Sequence, residues 1–154
     1  MPKDKSIYTQ DFKNYIDDLI AYLRTILLVG EYVIKTEFSE TPDEDDASCE
    51  DGLTTYATII SDDVYLSAYI TIHPAMQLAF DAGNFNKVAC YTLHELCHII
   101  TQPLVKWARN DAAPSQLVEI KDVNERQTQR IANAIEQAMP TNWWKPEFLR
   151  KKIK

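Results

Sequence analysis

Residues 94–98 read His-Glu-Leu-Cys-His. In a helix, positions i and i+4 lie one turn apart on the same face. Two imidazoles at that spacing can meet one metal ion at about 2.0–2.1 Å each. Glu95 is turned roughly 100° from His94, so its carboxylate can reach water on the ion without displacing it. Zn2+ lowers the pKa of such water to about 7, and a neighbouring carboxylate can take its proton. The chain has only three histidines, His73, His94 and His98, and ten glutamates. A chance match to His-Glu-x-x-His in that composition is roughly 0.4%. The bland alternative is a pair of core histidines, but two buried imidazoles beside a carboxylate are costly without an ion. The pattern therefore marks His94 and His98 as metal ligands and Glu95 as a catalytic base.

A catalytic zinc site needs a third protein ligand and an open fourth position. The metzincin extension of the motif would require Gly at 101 and His at 104, and the chain has Thr101 and Leu104 there. A downstream acid is the next option: Glu119, Asp122, Glu125 or Glu136, all in one helical segment. At 100° per residue, Leu117, Ile120, Asn124, Thr128, Ile131, Ile135 and Ala138 form a stripe. Glu119 points about 150° from its centre, and Asp122 is also far off. Glu125 lies on the margin, where a side chain can reach inward from a packed helix, and Glu136 shares that margin three turns further on. Glu125 is the expected third ligand and Glu119 the fallback. His73, at the end of an expected strand, is a further alternative. Cys90, His94 and His98 share a face, so a thiolate is conceivable, although small buried hydrophobes are the blander reading of Cys90 and Cys97.

The elements that must carry these residues follow from periodicity. Phe12, Ile16, Leu19, Leu23 and Leu27 predict a helix over 9–29, with Thr9 as N-cap and Gly30 as stop. Alternation predicts strands over 31–38, 54–60 and 64–72, the last two joined as a hairpin through Ser61-Asp62-Asp63. A short helix is expected over 74–80. The motif helix is expected from about 87 to 101, stopping near Pro103. Residues 103–114 read as an irregular connection and 115–139 as a long helix closed by Pro140. Trp143 and Trp144 are expected to fold back on the domain. The fold class is α+β: an N-terminal helix, a small mixed or antiparallel sheet, the motif helix, and a long C-terminal helix bearing the third ligand.

Composition bounds the rest. The 154 residues suit one domain, 1–154. Three scattered glycines exclude a Walker loop and a dinucleotide-binding fingerprint. A formal charge of −7 argues against a nucleic-acid partner. Three cysteines without a framework spacing suit a reducing compartment. The most apolar run, 19–29, is too short to span a bilayer and is broken by Arg24. The expectation is a cytoplasmic protein with no membrane partner. Residues 40–52 read as a mobile acidic loop without calcium-loop spacing, and 145–154 as a solvated basic tail.

With these residues in view, the chain resembles the small single-domain zincins of gluzincin type found in phages and prophages. The matching segments are His94-Glu95-Leu96-Cys97-His98 and, with its glutamate 27 positions after His98, Asn124 to Ala132. The likeness covers roughly residues 54–139. Repressor-cleaving zincins of mobile elements carry a related helix ending in Met-Pro; Met139-Pro140 stands two residues later than that pattern. The resemblance implies a mixed sheet over the motif helix, Zn2+ held by His94, His98 and Glu125, and hydrolysis of a protein or peptide substrate. It implies that the strand at 64–72 pairs with substrate main chain. If the gene is phage-borne, the compartment is the host cytoplasm. Larger gluzincins also use a Tyr or His to stabilise the oxyanion; Tyr69, His73 and Tyr91 are the candidates here. The alternative function is a non-catalytic regulatory or structural phage-type protein on the same scaffold with a metal site. A third is a protease specific for a repressor.

Overall fold

The computed structural model describes residues 6–40 and 55–153. The expected acidic loop lies, beyond residue 40, outside the described residues. Helix α1 spans Gln10–Ile26, with the Thr9 side chain accepting from the Phe12 N–H at 3.2 Å. Its stripe from Phe12 through Ile16, Leu19 and Leu23 is fully buried. The helix ends at Ile26, and the left-handed residue after it is Leu28 (φ 56°), not Gly30. The sequence points to Gly30 because glycine alone takes that conformation without strain.

Three strands follow: β1 (Val33–Phe38), β2 (Ala57–Asp62) and β3 (Ser67–Ile72). The β2–β3 hairpin is antiparallel and β1 pairs parallel with β3, giving the order β1-β3-β2. Here the structure corrects the expected substrate strand. Residues 67–72 are paired on both sides, so they have no free edge to offer. Ala68, Ile70 and Ile72 bury against the helices, while Tyr69 stands on the open face under Lys35.

Helix α2 spans Pro74–Asp81, and Gly83 (φ 75°) makes the turn into α3. Helix α3 runs from Phe85 to Asn110, straight through Pro103, and this lengthens the motif helix by nine residues over the expected stop at 101. An interior proline costs a helix about 3 kcal/mol. The cost is offset because the segment beyond it packs against α4 (Pro114–Ala138) and is tied to β2. The tie is Lys106 Nζ, 2.8 Å from the Ser61 carbonyl and 3.3 Å from Asp63 Oδ2. The expected irregular connection thus shrinks to residues 111–113.

The C-terminal residues are also corrected. Pro146–Lys152 form α5, with Leu149 fully buried and Phe148 edge-on to Tyr22 of α1 at 5.5 Å. Arg150, Lys151 and Lys152 face solvent from a docked helix, not from a frayed tail. Trp143 is buried, and Tyr15 Oη donates to the Trp144 carbonyl at 2.7 Å, so this segment does fold back. The described residues are α+β, and no helix among them is long and apolar enough to cross a membrane.

Candidate metal centre

Helices α3 and α4 form an antiparallel hairpin, and the candidate ligands meet across it. His94 and His98 stand one turn apart on α3, their rings nearly perpendicular with centroids 5.0 Å apart. Glu125 reaches over from α4. Its Oε2 lies 3.4 Å from His94 Nε2 and its Oε1 3.5 Å from His98 Nε2. One ligand atom from each of the three residues lies within 4.8 Å of the others. Bonds of about 2.0–2.1 Å at tetrahedral angles require ligand–ligand edges of about 3.3–3.4 Å. The two His–Glu separations, one to each carboxylate oxygen, are close to that length, so the group has the size and donor set to hold a divalent cation.

The group's electrostatics agree. Hydrogen bonds from His94 and then His98 hold the Glu125 carboxyl well below the usual carboxylate range, against a smaller opposing effect of burial. For His94, burial alone favours the neutral ring, but the Glu125 hydrogen bond and the charges of Glu95 and Glu125 outweigh it and raise its pKa. The Glu125 carboxylate is therefore held ionised, ready to meet a cation. Glu95 sits inside the same field. Burial raises its carboxyl to about 7, opposed by the charges of His98 and His94 and reinforced by Glu125. A pKa near neutrality suits a group that must both take and return a proton.

Which nitrogen of His98 carries the hydrogen is set by its neighbours. Thr101 Oγ1 donates to the His98 carbonyl at 3.4 Å and lies 3.1 Å from Thr128 Oγ1. With the Thr101 hydrogen committed, Thr128 donates to Thr101. It must then accept from His98 Nδ1 at 3.4 Å. That protonates Nδ1 and leaves the Nε2 lone pair for a metal. Asn124 is also 3.4 Å from Nδ1, through Nδ2, while its Oδ1 is buried without a partner. Turning the amide by 180° brings its oxygen beside Nδ1, where it shares the Nδ1 hydrogen with Thr128. In the sequence, Asn124 and Thr128 read only as members of the packing stripe. The signal that could have found them is their polarity within it: the α4 residues that bury fully include an amide and a hydroxyl.

The remaining candidates fall elsewhere. Glu119 lines a larger groove, about 710 Å³, on the opposite side of the α3–α4 hairpin, and it is not in the group. His73 is buried at the start of α2 with Nε2 3.5 Å from Thr58 Oγ1, also outside the group. Cys90 Sγ contacts Glu136 Oε1 at 3.2 Å, and burial followed by that hydrogen bond pushes its thiol to about 12. Neither residue is a ligand here, and Cys97 is a buried thiol also pushed to about 12 by burial. Of the oxyanion candidates, Tyr69 faces away on the open side of the sheet and His73 is enclosed. Tyr91 shares the face of α3 that bears His98, seven residues on, and its ring stacks on Tyr56 at 4.3 Å.

That stack and the Lys106–Ser61 contact bracket His94 and His98 along α3, so β2 runs beside the helix at the level of the group. Among the described residues β2 pairs as a strand only with β3, and on its outer edge Lys106 holds the Ser61 carbonyl. No protein-family model, curated protein or solved structure matches the chain.

Proposed function

We propose that this chain is a zinc-dependent metallopeptidase of zincin type. The observation that carries the reading is the meeting of His94, His98 and Glu125 beside the half-buried Glu95. His94 and His98 would hold Zn2+ through Nε2 and Glu125 through its carboxylate. Bound there, Zn2+ supplies Lewis acidity, bringing the pKa of water towards 7 and polarising a carbonyl oxygen. Glu95 accepts a proton from the attacking water and returns it to the departing amine. Thr128 and Asn124 keep the His98 ring in one tautomer and orientation. The outer edge of β2 ahead of Ser61 is the place for an extended substrate to add main-chain hydrogen bonds, taking the role that the resemblance assigns to 64–72. The test is a pair of proteins. Wild type should purify with one divalent metal and cleave peptides. Glu95→Gln should keep the metal and lose hydrolysis. Wild type purified without any divalent metal sinks the proposal.

A second reading keeps the metal and drops the chemistry: a regulatory or structural protein on the same scaffold. It is favoured by the positions of Tyr69 and His73, which remove two of the three oxyanion candidates. It predicts a metal-loaded wild type that cleaves nothing.

A further inference from the structure

A groove of about 370 Å³ begins at Glu125 and follows the α3–α4 seam away from His94. Leu117 and Val118 are among its apolar lining residues, and Gln102, Lys121 and Arg109 are among the polar ones. Lys121 and Arg109 are exposed, and among the described residues neither has an ion-pair partner. Together with Glu125 they leave the groove with a local charge of about +1, which a bound divalent cation makes more positive. The chain as a whole carries −7. The general surface thus repels anions while this groove attracts them, a combination that guides an acidic ligand to one place.

We propose, building on the metallopeptidase reading, that this groove selects peptides with acidic side chains on one side of the scissile bond. Helix geometry sets the positions. Lys121 is one turn from Glu125, about 6 Å along α4. Arg109 is eleven residues beyond His98, about 16 Å along α3. An extended peptide advances about 3.3 Å per residue and turns alternate side chains to the same face. Lys121 therefore meets a side chain about two residues from the cleaved bond, and Arg109 one about five residues away. These positions fall on opposite faces of the extended chain, one towards α4 and Lys121, the other towards α3 and Arg109, with Val118 and Leu117 also lining the groove.

Binding is measured first, by fluorescence anisotropy on zinc-loaded Glu95→Gln. The probes are two labelled pools of random decapeptides, one holding two glutamates three positions apart, the other two lysines. Two exposed ion pairs should favour the glutamate pool by roughly fivefold to tenfold at low salt. The preference should vanish at high salt and reverse in the Lys121→Glu, Arg109→Glu variant, whose unchanged zinc content reports an intact fold. Cleavage of a random decapeptide mixture by zinc-loaded wild type is then read by mass spectrometry, with acidic residues expected to be enriched at those two positions. Equal binding of the two pools, or cleavage without that enrichment, overturns the groove assignment and leaves the peptidase reading standing. Selective binding by a wild type that cleaves nothing overturns the peptidase reading and supports the groove.

Discussion

The hydrogen-bond chain behind His98 makes a quantitative demand on metal affinity. His98 Nδ1 has two polar neighbours, Thr128 Oγ1 and the Asn124 amide, each at 3.4 Å. Both contacts are long for an N–H···O bond, whose usual length is about 2.9–3.0 Å, so neither alone fixes the ring. Replacing Asn124 by Leu or Thr128 by Val removes one acceptor and leaves the other. Loss of an outer-shell partner typically weakens metal binding 10- to 100-fold, and sharing places each single change near the lower bound, about tenfold. With both partners gone, Nδ1–H is buried and unpaired, and the loss should approach about 100-fold, or 2.7 kcal/mol. Zinc affinity is measured by equilibrium competition with a chromogenic chelator, beside urea unfolding of the metal-free proteins. Thr128→Ser keeps the hydroxyl and should restore affinity to within a factor of about two, the normal spread for a retained partner. Affinities of both single variants and the double variant within twofold of wild type would refute the ligation through Nε2. An affinity loss matched by an equal loss of metal-free stability would reduce Asn124 and Thr128 to packing residues.

Other outcomes follow from the same structure. Zinc uptake must displace the proton on His94, whose pKa is raised, whereas the depressed Glu125 is already ionised at neutral pH. Apparent affinity should therefore fall by about one decade per pH unit on acidification through the His94 titration, as chelator competition across pH 6 to 8 can follow. The sign reverses for the metal-free protein. The stability contributed by the His94–Glu125 pair is complete below the unfolded histidine pKa and fades as pH rises through the folded value, visible as a falling urea midpoint. Leu149→Ala, at a fully buried position of α5, should cost about 2–5 kcal/mol in urea unfolding; a change under about 1 kcal/mol would mean that α5 is not part of the core. Pro103→Ala removes a helix breaker from an exposed position within α3 and should stabilise by up to about 3 kcal/mol, read as a higher thermal midpoint.

The pairing of His94 with His98 is legible in the order of the residues, because spacing inside one helix is a local property. Residues four apart share a face in any helix, whatever packs beside it. The margin position of Glu125 is legible for the same reason, since α4 carries its own stripe. Choosing Glu125 over Glu119 or His73 requires more. The register of α4 against α3 decides which turn faces His94 and His98, and sliding α4 by one turn would present Lys121 or Gln129 instead. Sheet order is likewise closed to pattern reading. Residues 67–72 alternate in the same way whether a strand is central or at the edge, so only the parallel partner β1 reveals that β3 has no free side. At Pro103 and in the basic C-terminal segment, local propensity points the wrong way. Packing against α4 carries α3 past the proline, and burial of Leu149 draws a charged helix onto α1. Local geometry lies in the sequence itself, whereas the partner across a tertiary contact depends on how whole elements slide and stack to bury their apolar faces.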